Sequence, residues 1–166
     1  QSLDAVKRLA RELRPPLLDD LGLAAALERY ITTYRQTYGL NVDLELTGFR
    51  GDERLAPEIE LTVYRIIQEA LTNVAKHAHA KNVSIVVERK PFALIAIVED
   101  DGHGFDVRAV VEGRQEGRLG LAGMRERAEL LGGRVQVESA ARKGSSVFVE
   151  IPFQEQLYES ANPVGG

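Results

Sequence analysis

The segment from Pro57 to about His79 limits the fold more than any other part of the chain. Ile59, Val63, Ile66, Ile67, Ala70, Leu71, Val74 and Ala78 recur at helical spacing, and Pro57 suits a first helical turn. A helix this long, with one apolar side, needs a sheet or other helices to cover it. Two runs that read as strands follow at once, Val83 to Arg89 and Leu94 to Glu99, joined at Lys90-Pro91. Upstream, Val42, Leu44 and Leu46 alternate with Asp43, Glu45 and Thr47, which predicts a half-buried strand before a polar loop from Gly48 to Arg54. The chain is therefore more than a helical bundle.

The flanking segments extend this pattern. Leu3, Val6, Leu9 and Leu13 predict a short amphipathic helix stopped by Pro15-Pro16. After a turn at Asp19-Asp20-Leu21-Gly22, a second helix carries Leu23, Ala26, Leu27, Tyr30, Ile31, Tyr34 and Tyr38, with Gly39 just past its end. Asp106 to Leu119 has no clear period and reads as a mobile segment. A helix from about Leu121 to Leu131 ends at Gly132-Gly133. A final hairpin pairs Arg134–Ser139 with Ser146–Ile151 around Lys143-Gly144. Strands occur singly and in hairpins, so the predicted class is α+β, a two-layer sandwich. Its sheet is mixed and mostly antiparallel, with helices on one face. Residues 1–16 form an upstream remnant, 17–153 the main domain, and 154–166 a tail expected to be disordered.

Three constellations carry possible chemistry. Glu69, Asn73, Lys76 and His77 share a stripe at the edge of the long helix's apolar side, as the wall of a cleft requires. The Glu69 and Asn73 oxygens suit a hard cation such as Mg²⁺, and Lys76 suits phosphate; a solvated helix edge explains the same residues equally well. Asp100 ends a strand and is followed by Asp101-Gly102-His103-Gly104, which sets a carboxylate over a surface free of side chains. Such an acceptor suits an amino group like that of adenine, while an ordinary tight turn is the plainer account. Gly117 to Gly123 open a helix with small residues, an arrangement that suits an anion or a simple hinge. No Gly-Lys-Ser/Thr follows at P-loop spacing.

Composition removes several classes. There are no cysteines, so disulfides, thiolate metal sites and cysteine nucleophiles are excluded, and three histidines do not make a strong zinc site. On a helix, His77 and His79 do not face each other, which argues against a metal pair. Lys and Arg total 21 against 25 Asp and Glu, a net charge of −4, so the basic excess of a nucleic-acid binder is missing. No apolar run is long enough for a membrane span, and a cytoplasmic setting is expected, for a soluble protein or for the cytoplasmic part of a membrane-bound one.

Taken in order, the three constellations resemble the ATP-binding domain of sensor histidine kinases, within the wider ATPase family that includes gyrase, Hsp90 and MutL. Glu69-Ala70-Leu71-Thr72-Asn73-Val74-Ala75-Lys76-His77 looks like that family's N box. Val98-Glu99-Asp100-Asp101-Gly102-His103-Gly104-Phe105 looks like the G1 box, and Gly120-Leu121-Ala122-Gly123-Met124 like the G2 box. The segments from Leu13 to Leu23 and from Met124 to Ala128 are similar to the DesK/NarX-type subfamily. The likeness runs from about Leu13 to Phe153 and implies a Bergerat-type ATPase fold.

The resemblance implies roles. Asn73 would hold Mg²⁺ at the nucleotide phosphates. Asp100 would bond the adenine amine, with Gly102 and Gly104 making room for the base. Lys76 and His77 would lie near the phosphates or ribose. Gly120, Leu121 and Gly123 would border the triphosphate, with residues 106–119 as a lid. Glu69 would be a polarising base or a partner of the metal, and both roles stay open. Where the family has Gly-Thr, this chain has Gly144-Ser145, which keeps the hydroxyl. Arg118 and Leu119 stand where many members keep small residues. None of His77, His79 and His103 fits the family's phosphoacceptor, so Leu3–Leu13 is expected to be the end of a dimerisation helix. The implied partners are the kinase's own dimerisation/phosphoacceptor domain and a response regulator. The chain alone is expected to be a monomer, and the intact kinase a homodimer. The other readings are an anti-sigma-factor-like serine kinase and a nucleotide-binding interaction module without turnover.

Overall fold

The computed structural model describes residues 15–51, 53–104, 120–140 and 142–154. The predicted helix at Leu3–Leu13, the segment Asp106–Leu119 with its proposed lid, and the tail beyond Gln154 lie outside these residues. In chain order the elements are α1 (Pro16–Leu21), α2 (Leu23–Tyr38), β1 (Asn41–Thr47), α3 (Pro57–Asn73), a π-helical turn (Val74–Ala78), β2 (Asn82–Arg89), β3 (Ala93–Asp100), α4 (Gly120–Leu130), β4 (Arg134–Ser139) and β5 (Ser145–Pro152). The strands form one sheet in the order β1-β2-β3-β5-β4. β1 and β2 are parallel, joined across α3, and every other pair is antiparallel. The α+β expectation holds.

All eight apolar residues of the α3 stripe, including Val74 and Ala78 in the π turn, are buried. They meet the inward side chains of the strands: Val83, Ile85 and Val87 of β2, Leu94, Ala96 and Val98 of β3, and Val147, Val149 and Ile151 of β5. Each large aliphatic side chain fully buried in this way contributes about 1.5–3 kcal/mol of transfer free energy. The opposite sheet face carries Val86, Ile95, Ile97 and Phe148, which are only half-buried, and the Arg134 guanidinium lies 5.3 Å from the Phe148 ring centroid. One face of the sheet therefore makes the core, and α2, α3 and α4 supply its other layer.

Two local expectations are corrected. Asp19-Asp20-Leu21 is helical rather than a turn. Pro16 begins α1, because a missing N–H costs nothing in a first turn, and only Gly22, at φ 93°, separates α1 from α2. The long helix also changes character after Asn73, widening into a π turn that ends at His79 in the left-handed region, φ 52°. The Ala78 carbonyl at that end accepts from the backbone N–H of His103 at 2.7 Å, so the turn is tied to the segment after β3. Along α2, Leu23, Ala26, Leu27, Ile31 and Tyr34 are buried as expected, but Tyr30 is half-buried and Tyr38 is 51% exposed.

Two polar contacts fix the edges of this frame. Glu60, in the first turn of α3, is 4% exposed. Its partner is Arg54, with Nη2 2.7 Å from Oε1 and Nε 3.1 Å from Oε2. The same guanidinium donates to the Leu18 carbonyl at 2.9 Å and the Asp19 carbonyl at 3.1 Å, which binds α1 to α3. At the sheet margin, Arg35 of α2 donates from Nε to the Val42 carbonyl of β1 at 3.0 Å.

Candidate functional site

A narrow cleft opens between α3 and the ends of β3 and β5. Asn73, Asp100 and Ser145 supply its polar lining, and Ala70, Val74, Val98, Leu121 and Val147 its apolar walls. Four residues singled out in the sequence (Asn73, Asp100, Leu121 and Ser145) thus converge from α3, β3, α4 and β5. Their convergence follows from register. Asp100 and Ser145 are direct partners in the antiparallel β3–β5 pair, with Val98 and Val147 opposite each other two residues deeper. A strand's side chains alternate, so these pairs stand on the same face, toward α3.

The carboxylate of Asp100 is held at both oxygens. Oδ1 accepts the Gly102 N–H at 2.9 Å, and Oδ2 accepts the Ser145 hydroxyl. Acceptor capacity is left on an ionised carboxylate after these two bonds, so a ligand amine has something to meet. Gly102 is required by close approach: a Cβ there would stand 2.1 Å from the Ala78 carbonyl oxygen. Gly104, at φ 70°, takes a backbone conformation that suits glycine. The next carboxylate serves the frame instead. Asp101 Oδ1 accepts the backbone N–H of Lys81 at 2.8 Å and of Asn82 at 2.9 Å, and Oδ2 accepts the Asn82 amide at 2.7 Å. The Asn82 backbone and side-chain bonds, then that of Lys81, lower its pKa to about 2.

Glu69 lies outside the cleft lining and meets the start of α4, whose Leu121 forms one wall. A Cβ on Gly120 would lie 2.3 Å from both Cγ and Oε1 of Glu69, so glycine lets the start of α4 close on α3 at that residue. The charge of Glu69 also reaches the Tyr30 phenol of α2. Burial raises the pKa of Tyr30, a hydrogen bond with Thr72 opposes the shift, and the charges of Tyr64, Tyr38 and Glu69 add to it. Lys76 is exposed on the π turn and His77 is half-buried; neither lines the cleft. Gly123 has open space where a Cβ would stand.

The walls were missed by sequence reasoning. Val98 and Val147 look like ordinary inward strand residues, and only the Asp100–Ser145 pairing marks them as cleft. A wider hollow of about 390 Å³ shares Asp100 and Ser145 but is lined by Glu99, Glu138 and Ser146. Only the narrow cleft includes Asn73 and the apolar walls that a flat base needs. It measures about 20 Å³, enough for about one water-sized body.

Residues 58–155 match the family model described as histidine kinase-, DNA gyrase B-, and HSP90-like ATPase. The chain belongs to this ATPase family. The matched span runs from Glu58, in the first turn of α3, through β5, and the family implies ATP binding. The signal transduction histidine-protein kinase/phosphatase DegS of Brevibacillus brevis is similar, 35% identical over 152 residues, which is 92% of this chain and 38% of that protein. Two solved structures share the ATPase fold. The histidine kinase domain from Erythrobacter litoralis EL346 blue-light activated histidine kinase aligns with TM-score 0.62 at 23% identity, over 84% of this chain and 65% of that one. Erythrobacter litoralis EL346 blue-light activated histidine kinase aligns with TM-score 0.63 at 24% identity, over 81% and 46%. At these identities the structural likeness shows the fold alone. The chain spans less than two thirds of each of these relatives.

Proposed function

We propose that this ATPase-family chain is the ATP-binding catalytic domain of a sensor histidine kinase. It would supply the γ-phosphoryl group of ATP to a histidine on a dimerisation domain, for relay to a response-regulator aspartate. The observation that carries the reading is the meeting of Asn73, Asp100 and Ser145 in one cleft with apolar walls. Asp100 receives the adenine amine, Ser145 fixes the carboxylate, and Gly102 and Gly104 keep side chains away from the base. Val98, Val147 and Leu121 enclose the ring. Gly120, Leu121 and Gly123 border the phosphates, with Lys76 and His77 at their outer side.

The donor set fits Mg²⁺. Asn73 offers an amide oxygen in the cleft, Glu69 lies one turn earlier on α3, and Mg²⁺ commonly keeps several waters and takes few protein ligands. When bound, the ion neutralises phosphate charge. Glu69, pressed against Gly120, is positioned to orient a group at the phosphate end. Phosphoryl transfer depends mostly on such positioning and charge stabilisation.

The three histidines stand on the π turn, at its end and beside Gly102, so the acceptor must come from elsewhere: the dimerisation domain of the same kinase, in a homodimer. Among the described residues no helix is long and apolar enough to cross a membrane; a cytoplasmic setting belongs to the proposal.

Calorimetric titration of ATP, with and without Mg²⁺, tests the reading. Binding strengthened by Mg²⁺ and lost in Asp100→Ala is expected, as is phosphate transfer to a supplied acceptor-histidine fragment. Absence of ATP binding by folded protein overturns the nucleotide reading. Binding with transfer to a protein serine instead overturns the histidine-kinase assignment.

A further inference from the structure

His79 and His103 stand outside the cleft lining, yet the fold brings their rings together. Their centroids are 5.2 Å apart, with the planes inclined by 50°. Both side chains are exposed. Their backbones are set by neighbouring contacts. His79 closes the π turn in the left-handed region. The His103 N–H bonds the carbonyl of Ala78, the residue before His79. The pair forms across the seam between the end of the helix and the turn after β3, whereas His77 and His79 were the only histidines close in sequence.

We propose that His79 and His103 form a two-imidazole clip for a divalent transition metal ion of the Zn²⁺ class. Two imidazoles bound to one tetrahedral ion at about 2.0–2.1 Å per nitrogen have ring centroids roughly 5 Å apart, the separation seen here. Imidazole selects borderline metals such as Zn²⁺, Ni²⁺ and Cu²⁺, while Mg²⁺ prefers oxygen. Among the described residues no cluster of three His, Asp or Glu side chains completes a cage. Water therefore fills the remaining positions, as the exposure of both rings allows. The neighbouring Asp101 carboxylate is already engaged by Lys81 and Asn82. A bound ion would staple the π turn to the Gly102 turn, reinforcing the His103–Ala78 hydrogen bond. The proposal is independent of the nucleotide reading.

Zn²⁺ alone, titrated calorimetrically into tag-free protein without nucleotide or Mg²⁺, tests the clip. One equivalent per chain is expected to bind. His103→Asn and His79→Gly should each weaken binding at least about tenfold, the latter at a positive φ that glycine adopts freely. His77→Asn should retain it. Circular dichroism checks that each variant is folded, and the His79 and His103 ring protons should shift together on Zn²⁺ addition. The proposal is overturned by no binding at millimolar Zn²⁺, by binding in the His79 and His103 variants as tight as in the parent, or by ring shifts confined to His77.

Discussion

Ser145 donates its hydroxyl hydrogen to Asp100 from directly across the β3–β5 pair. The carboxylate therefore keeps its orientation when the cleft holds no ligand. Removing the hydroxyl frees Oδ2 to rotate, so Ser145→Ala is expected to weaken ATP binding about tenfold, or about 1.4 kcal/mol. Ser145→Thr keeps the donor and should bind like the parent. Equal loss in both variants by calorimetry would assign the effect to packing rather than the hydrogen bond.

Gly102→Ala would press a methyl group into the Ala78 carbonyl and disturb the His103 N–H bond. Overpacking of this kind costs about 1–3 kcal/mol. A lower melting temperature together with lost ATP binding is expected. An unchanged melting temperature would show that the turn can shift aside.

Arg54 is the clasp between α1 and α3. Its side chain is 36% exposed, against 5% for Glu60. Breaking a fully buried pair costs roughly 3–5 kcal/mol, and solvent screening at Arg54 lowers the expected cost of Arg54→Ala to about 1–3 kcal/mol. Arg54→Met with Glu60→Leu should recover part of the loss, because no buried charge is left alone. Urea denaturation of the three proteins decides this; a double variant no better than the single one would locate the loss in the bonds to Leu18 and Asp19.

Acid should loosen the Asp101 anchor late. Its folded pKa is about 2 against an ordinary 3.8, so its stabilising contribution is present above about pH 3.8 and is lost as pH falls through about 2. A side-chain carboxyl NMR titration is expected to show Asp101 still ionised well below the ordinary 3.8. A midpoint near 3.8 would mean that the bonds to Lys81 and Asn82 do not persist in solution.

The sequence made the core legible because α3 repeats its apolar residues without interruption and β1 alternates apolar with polar residues. Every residue assigned to the α3 stripe is buried. The turn expected at Asp19-Asp20-Leu21 is helical instead, because the ring that blocks a helix interior is accommodated at a helix start, as at Pro16. Glu60 gave no sign of burial, since its partner Arg54 arrives from a loop. Asn73, Asp100 and Ser145 were legible as residue types, but their cleft required the β3–β5 register. The same holds for His79 and His103, whose proximity depends on a backbone bond between separate turns.

β1 ends the sheet, and a strand at an end offers backbone groups to any other extended chain. Arg35 occupies one of those groups, the Val42 carbonyl, and stands a charge beside it. A second molecule laying a strand along the whole of β1 would have to displace a guanidinium to reach that carbonyl. The contact that holds α2 to the sheet thus also discourages crowded copies from joining edge to edge into aggregates.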